Sequence, residues 1–314
     1  MDKDLFQSRI RLRHLHCFLA VAQERNLRKA AERLRLSQPA VSKTLVELEQ
    51  IVGVRLFERS RLGAQLTREG EIFLARTVPA LEALDAVGNA LETPGAPAAE
   101  SIVIGVLPSV APDLLPAVLV EYQRNHPDVR ITVQTGTNAI LLQMLKAGEM
   151  DCVLGRMADP QMMVGLVFEL LYVEPLRLFV RAGHPLAGRS ALSLSEVMAF
   201  PFIVPLKGTI PRHNTESFLQ SHGMALPRNC IETVSVSLAR AICLQSDAVW
   251  FISAGAIHDE LEARRFAPLT VGTEGAEEPV GLLHRSEGAL RPAVRDFMVL
   301  LRAAGRRRSA AIAR

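Results

Sequence analysis

At 314 residues the chain exceeds one ordinary core and suits two or three lobes. Its 49% apolar and 22% charged residues are those of a folded globular protein, and no window approaches the ~18 uninterrupted apolar residues of a membrane helix. The net charge of +3 hides a split: residues 1–68 carry 14 Lys/Arg against 7 Asp/Glu, residues 69–301 carry 17 against 26, and 302–314 add five arginines.

A basic end on an acidic body points to the first segment as the part that meets a polyanion, although scattered solvated charge would give the same totals. Three short helical patterns open the chain. Leu15, Phe18, Leu19 and Ala22 recur at i, i+3, i+4 and i+7. Leu27, Ala30, Ala31 and Leu34 repeat that spacing behind Asn26, a candidate N-cap. Ser37 caps a third helix, with Pro39 in its first turn, Val41, Leu45, Leu48 and Val52 as its stripe, and Gly53 at its end. Residues 56–59 and 65–67 read as two short strands around a basic tip at 60–64.

A long helix is predicted from about 68 to 91. Leu74, Val78, Leu81, Leu84 and Leu91 keep spacings of three and four along it, close to a heptad seam. A partner helix is the simplest cover for that stripe, and the chain's own second domain is the alternative. Pro79 is expected to kink the helix. Residues 93–99 read as a linker.

From Ser101 strands and helices alternate. The run 102–106 suits a strand buried on both faces. A helix at 112–125, a strand at 129–134, a helix at 138–147 and a strand at 151–154 complete a βαβαβ unit with a parallel sheet. A second set begins near Leu166: strands at 176–180, 202–204, 230–234 and 248–253, helices at 212–221 and 236–245, and a last helix at 291–302. The order implies two α/β lobes, with chain crossings near 160–170 and 265–275.

The informative stretch runs from Asn26 to Glu49. Two helices joined by a tight turn need small residues at their crossing, and Ala30 and Ala31 supply them. Leu36 is expected to fill the core at the turn. The second helix points free N–H groups and a positive dipole end outward, which suits a phosphate or a base edge. Gln38, Ser42, Lys43 and Thr44 lie on its first turns, where a recognition helix reaches bases and phosphates.

This stretch closely resembles the LysR family. The alanine pair, Leu34, Ser37-Gln38-Pro39-Ala40-Val41-Ser42, Leu45, Leu48-Glu49, Gly53, Leu56-Phe57-Glu58-Arg59 and Thr67-x-x-Gly70 match its N-terminal signature in order and spacing. The resemblance implies an α/β protein with an all-α-like N-terminal domain: a winged helix-turn-helix at 1–67, a linker or dimerisation helix at 68–92, a hinge at 93–100, and a periplasmic-binding-protein-like effector domain at 101–304. Its lobes are expected at about 101–164 with 270–304, and at about 165–269. It further implies a homodimer or homotetramer bound to double-stranded promoter DNA, acting as activator or repressor, with RNA polymerase as a partner; the four isolated cysteines suit a cytoplasmic protein. The segments 9–15 and 56–61 resemble regulators of protocatechuate-catabolism operons, the PcaQ type; regulators of sugar-uptake genes open similarly.

The DNA contacts expected are Arg28, Lys29, Ser37, Gln38, Pro39, Ser42, Lys43, Thr44, Arg59 and Arg61. Arg59 and Arg61 either bind phosphates or form a solvated basic loop. Arg28 and Lys29 are either backbone contacts or surface charge, and Ser37 is either a cap alone or also a contact. Ligands of open α/β sheets bind outside the carboxyl ends of the strands. Pro108, Ser109 and Val110 follow the first strand, Thr135 and Thr137 the second, and Arg156 the third. They are the candidate site for a small organic anion, with Arg156 as anion partner or as partner of a neighbouring carboxylate. Lys207, Gly208 and Thr209 are expected to close the site from the other lobe, or to form a plain turn. The seam residues expected to dimerise are Leu74, Val78, Leu81 and Leu84.

No cofactor, metal or catalytic motif is evident. The eight histidines lack H-E-x-x-H spacing and read as surface or cap residues. Four cysteines stand far apart with no C-x-x-C, and are expected to be reduced, mostly buried thiols. Residues 1–13 lack the apolar stretch of a secretory signal. A solute-binding protein on the same body would need such a signal. An enzyme would leave the basic N-terminal motif unexplained.

Overall fold

The computed structural model describes residues 9–60, 63–92, 100–273 and 275–312, with side chains described except at 59–60 and 86–92. The N-terminal unit is built from α1 (Leu12–Glu24), α2 (Leu27–Leu34), α3 (Gln38–Val52) and the hairpin β1 (Phe57–Ser60) and β2 (Gly63–Leu66). Its caps are those the sequence suggests. Asn26 Oδ1 accepts the Arg28 and Lys29 N–H groups at 2.9 and 3.1 Å. Ser37 Oγ accepts the Ala40 N–H at 3.3 Å, and Gly53 closes α3 in the left-handed region at φ 76°. Such a cap is worth about 1 kcal/mol.

Ala30 and Ala31 are buried where α2 crosses its neighbours. Glu49 turns back to accept the Leu56 and Phe57 N–H groups, which starts the hairpin. Thr67 accepts the Gly70 N–H at 2.9 Å and donates to the Arg55 carbonyl at 2.8 Å. A Cβ at Gly70 would stand 2.1 Å from the Leu56 carbonyl oxygen, so that position has room only for glycine. Leu36 departs from expectation. It is 51% exposed, because Ala30, Ala31 and Val41 already fill the turn.

Helix α4 (Arg68–Glu92) runs on through Pro79 without a break in helical assignment. Phe73 stacks edge-on against Phe18 (4.9 Å), and Phe57 lies on the other side of Phe18 (5.3 Å), so α1, β1 and α4 share one core. Leu74 and Val78 belong to that core, and Leu81 is 4% exposed. The expected seam is therefore corrected. Three of its four described leucine and valine positions are covered by the chain itself, and Leu84 alone stays open, at 48%. Leu91 lies outside the described side chains. Lobe 1 supplies part of the cover: a Cβ at Gly148 would meet Val78, and one at Gly165 would meet Ala75. Ion pairs Lys146–Glu71 (2.7 Å) and Arg285–Glu82 (2.6 Å) flank the contact.

The second domain has one sheet in the order β4-β3-β5-β11-β6-β9-β7-β8, with β10 (Phe266–Pro268) on β6. Lobe 1 holds β3 (Ser101–Val106), α5 (Ala111–Asn125), β4 (Arg130–Thr135), α6 (Asn138–Lys146) and β5 (Cys152–Gly155). β3 pairs in parallel with both β4 and β5. Two strands cross between lobes, β6 (Leu166–Arg181) and β11 (Glu277–Arg285), paired antiparallel. Sequence patterning missed β11, whose acidic start, Pro279 and Gly281 disguise it; at Gly281 the register shifts and a Cβ would strike the Phe168 ring. β6 is one strand, not two pieces. Tyr172 packs in the lobe 1 core and Leu176 in that of lobe 2. The border therefore falls near 173–175, beyond the expected 165.

Lobe 2 adds α7 (Leu194–Val197), β7 (Phe202–Val204), α8 (Ile210–Ser221), β8 (Cys230–Glu232), α9 (Val236–Gln245), β9 (Val249–Ser253) and α10 (His258–Glu262). The final helix, α11 (Pro292–Ile312), returns to lobe 1 and outruns its expected end at 302. Cys17, Cys152 and Cys243 are buried and Cys230 half-buried, and all four are free. Burial pushes the Cys17 thiol up to about 11.

Two histidines are buried: His14, which serves as a cap by accepting the Arg11 N–H at 3.2 Å at the start of α1, and His184, which corrects the reading as surface or cap. His184 Nδ1 accepts the Leu186 N–H at 3.0 Å, which leaves Nε2 to donate to the Asp247 carbonyl at 3.2 Å. Both nitrogens are satisfied in the neutral ring, and burial holds its pKa below 6.5. A depressed folded value means that the stabilisation is complete above the unfolded value, 6.5, and is lost as pH falls through the window below it. Thermal unfolding followed from about pH 7.5 to about pH 5.5 should show His184→Gln losing less stability than wild type across that window. Parallel losses in the two proteins would remove His184 from the acid response.

Candidate functional sites

The first site is the outer surface of α3. Ser37, Gln38, Pro39 and Lys43 are exposed; Ser42 and Thr44 are half-buried. Thr44 Oγ1 donates to the Ala40 carbonyl at 3.0 Å, so its hydroxyl proton is committed within the helix. Arg28 and Lys29 are exposed at the start of α2, and Arg28 leans on Glu32 at 3.7 Å. That pair is too solvated to hold the arginine in place. The Arg59 side chain and Arg61 lie outside the described residues. Sequence reasoning missed Arg35. It ends α2 in the left-handed conformation at φ 55°, exposed in the turn before α3. A non-glycine residue there costs about 1 kcal/mol or more; its positive φ has no local signal in the sequence.

The second site is a cavity of about 730 Å³ between the two lobes. Pro108, Ser109, Thr137 and Arg156 line it from lobe 1, and Lys207, Gly208 and Thr209 from lobe 2. Seven residues scattered over a hundred positions thus meet in one place. Two candidates do not join them. Val110 is the N-cap of α5 with its side chain wholly buried in the lobe 1 core. Thr135 ends β4 exposed and outside the lining. The walls are largely apolar, with Leu176, Met162, Phe251 and Trp250 among them.

The starts of α6, α8 and α9 reach this cavity, and Ser109 enters it just ahead of α5. Thr209 and Ser235 cap α8 and α9 with their side chains. Of these, the start of α6 has no side-chain cap. Its positive dipole end favours a negative group placed against it.

Arg156 is not a free cation. Its side chain is 3% exposed and forms an ion pair with Glu278, itself fully buried. Asn214 of α8 donates to the same carboxylate at 2.9 Å, and Arg156 reaches Ser109 Oγ at 3.4 Å. The arginine is thus the partner of a neighbouring carboxylate, and its charge is spent inside the chain. Asn138 fastens it from behind, exchanging two 2.9 Å hydrogen bonds with the Arg156 backbone. Glu278 and Asn138 escaped the sequence reading, Glu278 because β11 itself did.

A second buried charge cluster lies beside the crossing strands. Arg308 binds Asp113 at 2.6 Å and Glu174 at 3.3 Å, while the Gly255 N–H donates to Glu174 at 2.9 Å. Burial pushes both carboxyls up from their ordinary range. Arg308, expected as part of a basic tail, is a structural cation at the hinge. Among the described residues no group of His, Cys, Asp or Glu is placed to hold a metal, and no helix is long and apolar enough to cross a membrane.

A helix-turn-helix with an open second helix, joined to a two-lobed body with a central cavity, is the architecture of a ligand-responsive DNA-binding regulator. Residues 12–71 match the bacterial regulatory helix-turn-helix protein, lysR family, and residues 95–306 match the LysR substrate binding domain. The chain belongs to the LysR family of transcriptional regulators. It is 45% identical to the HTH-type transcriptional regulator YdcI of Escherichia coli K12, over 91% of this chain and 93% of that one. It is 37% identical to the HTH-type transcriptional regulator PcaQ of Agrobacterium fabrum C58, over 90% and 91%. A full-length OxyR variant from Pseudomonas aeruginosa shares the fold, with a TM-score of 0.64 over 95% of both chains at 21% identity. The resemblance to the PcaQ type holds, and the likeness to YdcI is greater.

Proposed function

We propose that this LysR-type regulator binds promoter DNA through the N-terminal face of α3 and responds to a small organic acid held between its lobes. The observation that carries the reading is the convergence of the uncapped start of α6, Ser109 and Thr137 on one largely apolar cavity. The ligand that suits it has an apolar, aromatic-sized body and a single carboxylate. The carboxylate faces Ser109, Thr137 and the start of α6, and the body faces Trp250 and Leu176. Lys207 and Asp159 stand exposed at the rim and roughly offset each other. Arg156 supports the site by fixing Ser109 and Asn138, with its own charge held by Glu278. Aromatic-acid catabolism, the theme of the PcaQ-type resemblance, supplies ligands of this kind.

Gln38, Ser42 and Lys43 are the base and phosphate contacts in this reading, with Arg28, Lys29, Arg35, Arg59 and Arg61 as flanking cations. Two such units on an oligomer read two half-sites. Among the described residues, Leu84 and Ile72 are the large apolar positions on α4 left open to a second copy. Ligand binding shifts the population of lobe arrangements, and with it the spacing of the DNA-binding units and the bend of the promoter.

Trp250 is the chain's single tryptophan and lies in the cavity wall. A panel of aromatic acids and their ring-cleavage products, titrated against its emission, tests the reading. At least one acid should change the emission and raise the thermal midpoint, and the matching neutral amide should not. Ser109→Ala should weaken that acid a few-fold, as loss of a neutral donor costs about 1 kcal/mol. Neutral amides binding as tightly as their acids would exclude the carboxylate site.

A further inference from the structure

The nine residues of α6 serve different parts of the molecule at their two ends. At the start, Thr137, Asn138 and Ala139 line the interlobe cavity. At the end, contacts run to the DNA-binding unit and to the first turn of α4. Gln23 Nε2 donates to the Ala147 carbonyl at 2.8 Å, Arg25 donates to the Gln143 side-chain oxygen, and Lys146 Nζ donates to Glu71 Oε2 at 2.7 Å. The Lys146 side chain is only 10% exposed, so the lysine end of this pair is held out of bulk water while Glu71 stays partly open. Between the two ends, Leu141, Leu142 and Leu145 sit fully buried in the lobe 1 core. A helix this long spans about 13 Å and is stiff along its axis. Displacement of one end must therefore appear at the other.

Each end is tied to something that moves or reads. At the cavity end, Asn138 is bolted to the Arg156 backbone, and the Arg156 guanidinium to Glu278. Asn214, on α8 of lobe 2, holds the same Glu278 at 2.9 Å. Lobe closure therefore pulls on the start of α6. At the other end, Arg25 is an anchor for the hairpin. It lies in the left-handed region at φ 49°, and its carbonyl accepts the Ala64 N–H of β2 at 2.9 Å. A Cβ at Gly63 would stand 2.4 Å from that carbonyl oxygen. The residue gripped by Gln143 is thus also the base on which the β1–β2 hairpin rests.

From this geometry we infer that α6 is the rod that couples the interlobe cavity to the DNA-binding unit, gripping it through Gln143 and Ala147 and gripping the base of α4 through Lys146. The inference rests on the proposed reading of the cavity as a ligand site and of α3 as a DNA reader. Docking leaves Gln38 and Lys43 exposed, so the gripped arrangement can still engage DNA. The grip sets the direction in which α3 is presented relative to lobe 1. A change in the cavity redirects it through α6.

Coupling between two sites is reciprocal. If the cavity is felt at the hairpin, DNA seated on the hairpin is felt in the cavity. Trp250 reports the cavity without any need for the effector. The experiment uses the full-length protein and duplex DNA from immediately upstream of its gene. Fluorescence anisotropy of labelled duplex reads DNA binding, and Trp250 emission with unlabelled duplex reads the cavity. Wild type should change its emission with the midpoint of DNA binding. The double variant Gln143→Ala, Lys146→Ala should still bind the duplex and lose the emission change. Lys146→Glu should lose it as well, and adding Glu71→Lys should bring it back by remaking the pair in reverse. A full emission change in the double variant overturns the inference. So does wild-type protein that binds the duplex while Trp250 stays silent. Wild-type protein that fails to bind the duplex contradicts the functional reading, and the coupling falls with it.

Discussion

Replacing Arg156 with alanine is expected to lower the unfolding free energy by about 3–5 kcal/mol, the usual result of stranding one partner of a buried ion pair. Glu278 has no solvent to turn to, being fully buried, and Asn214 alone remains as its donor. For a domain of this size the loss lowers the midpoint of thermal unfolding by roughly 10 °C. Removing the partner charge as well should rescue the fold. Changing Glu278→Gln in the Arg156→Met background removes both charges, and a buried pair replaced as a pair costs little. Calorimetry of the two variants and wild type checks this. A loss below about 1 kcal/mol in Arg156→Ala is what a solvated surface pair would give. It would mean that the cation stands free for an anionic ligand after all.

Leu81→Glu is expected to damage the chain itself before it damages any assembly. The leucine is buried on α4 within one chain, so the change removes about 1.5–3 kcal/mol of burial and adds an unpaired carboxylate. A loss of about 3 kcal/mol or more in urea unfolding follows. Leu84→Glu lies one turn further on at an exposed position and should leave stability within about 0.5 kcal/mol of wild type. If α4 still meets a second copy, sedimentation of Leu84→Glu shows a smaller species while its fold is intact. A stable, fully folded Leu81→Glu monomer would restore the whole stripe to the seam between copies.

The N-terminal unit was legible almost to the residue. Its caps, small crossing residues and turn glycine act locally, so each leaves a mark at a fixed spacing. Asn26, Ser37 and Gly53 sit where the pattern put them, while Thr67, read as the end of a strand, caps α4 instead. The stripe on α4 was legible as apolar but not as to its cover, because periodicity says that a face is buried and not against what. The candidate cavity was half legible. Residues directly after parallel strands could be found from topology, and Ser109, Thr137 and Arg156 came from that rule. Glu278 and Asn214 come from distant segments that meet only once the chain has crossed back between lobes. Arg308 is the same case, an arginine in a run of arginines that long-range packing singles out.

The central claim is that the exposed start of α3 binds promoter DNA electrostatically and by base contact. The measurement that tests it most directly is the affinity for upstream duplex as salt is varied, for wild type, Lys43→Ala and Gln38→Ala. Wild type should show log affinity falling linearly with log salt, and Lys43→Ala should reduce that slope by about one unit and weaken all sequences alike. Gln38→Ala should leave the slope unchanged and lose about 1–3 kcal/mol of preference for the specific duplex over a random one. Wild-type slope in Lys43→Ala together with wild-type preference in Gln38→Ala would contradict the account, since the face of α3 would then not be where the DNA lies.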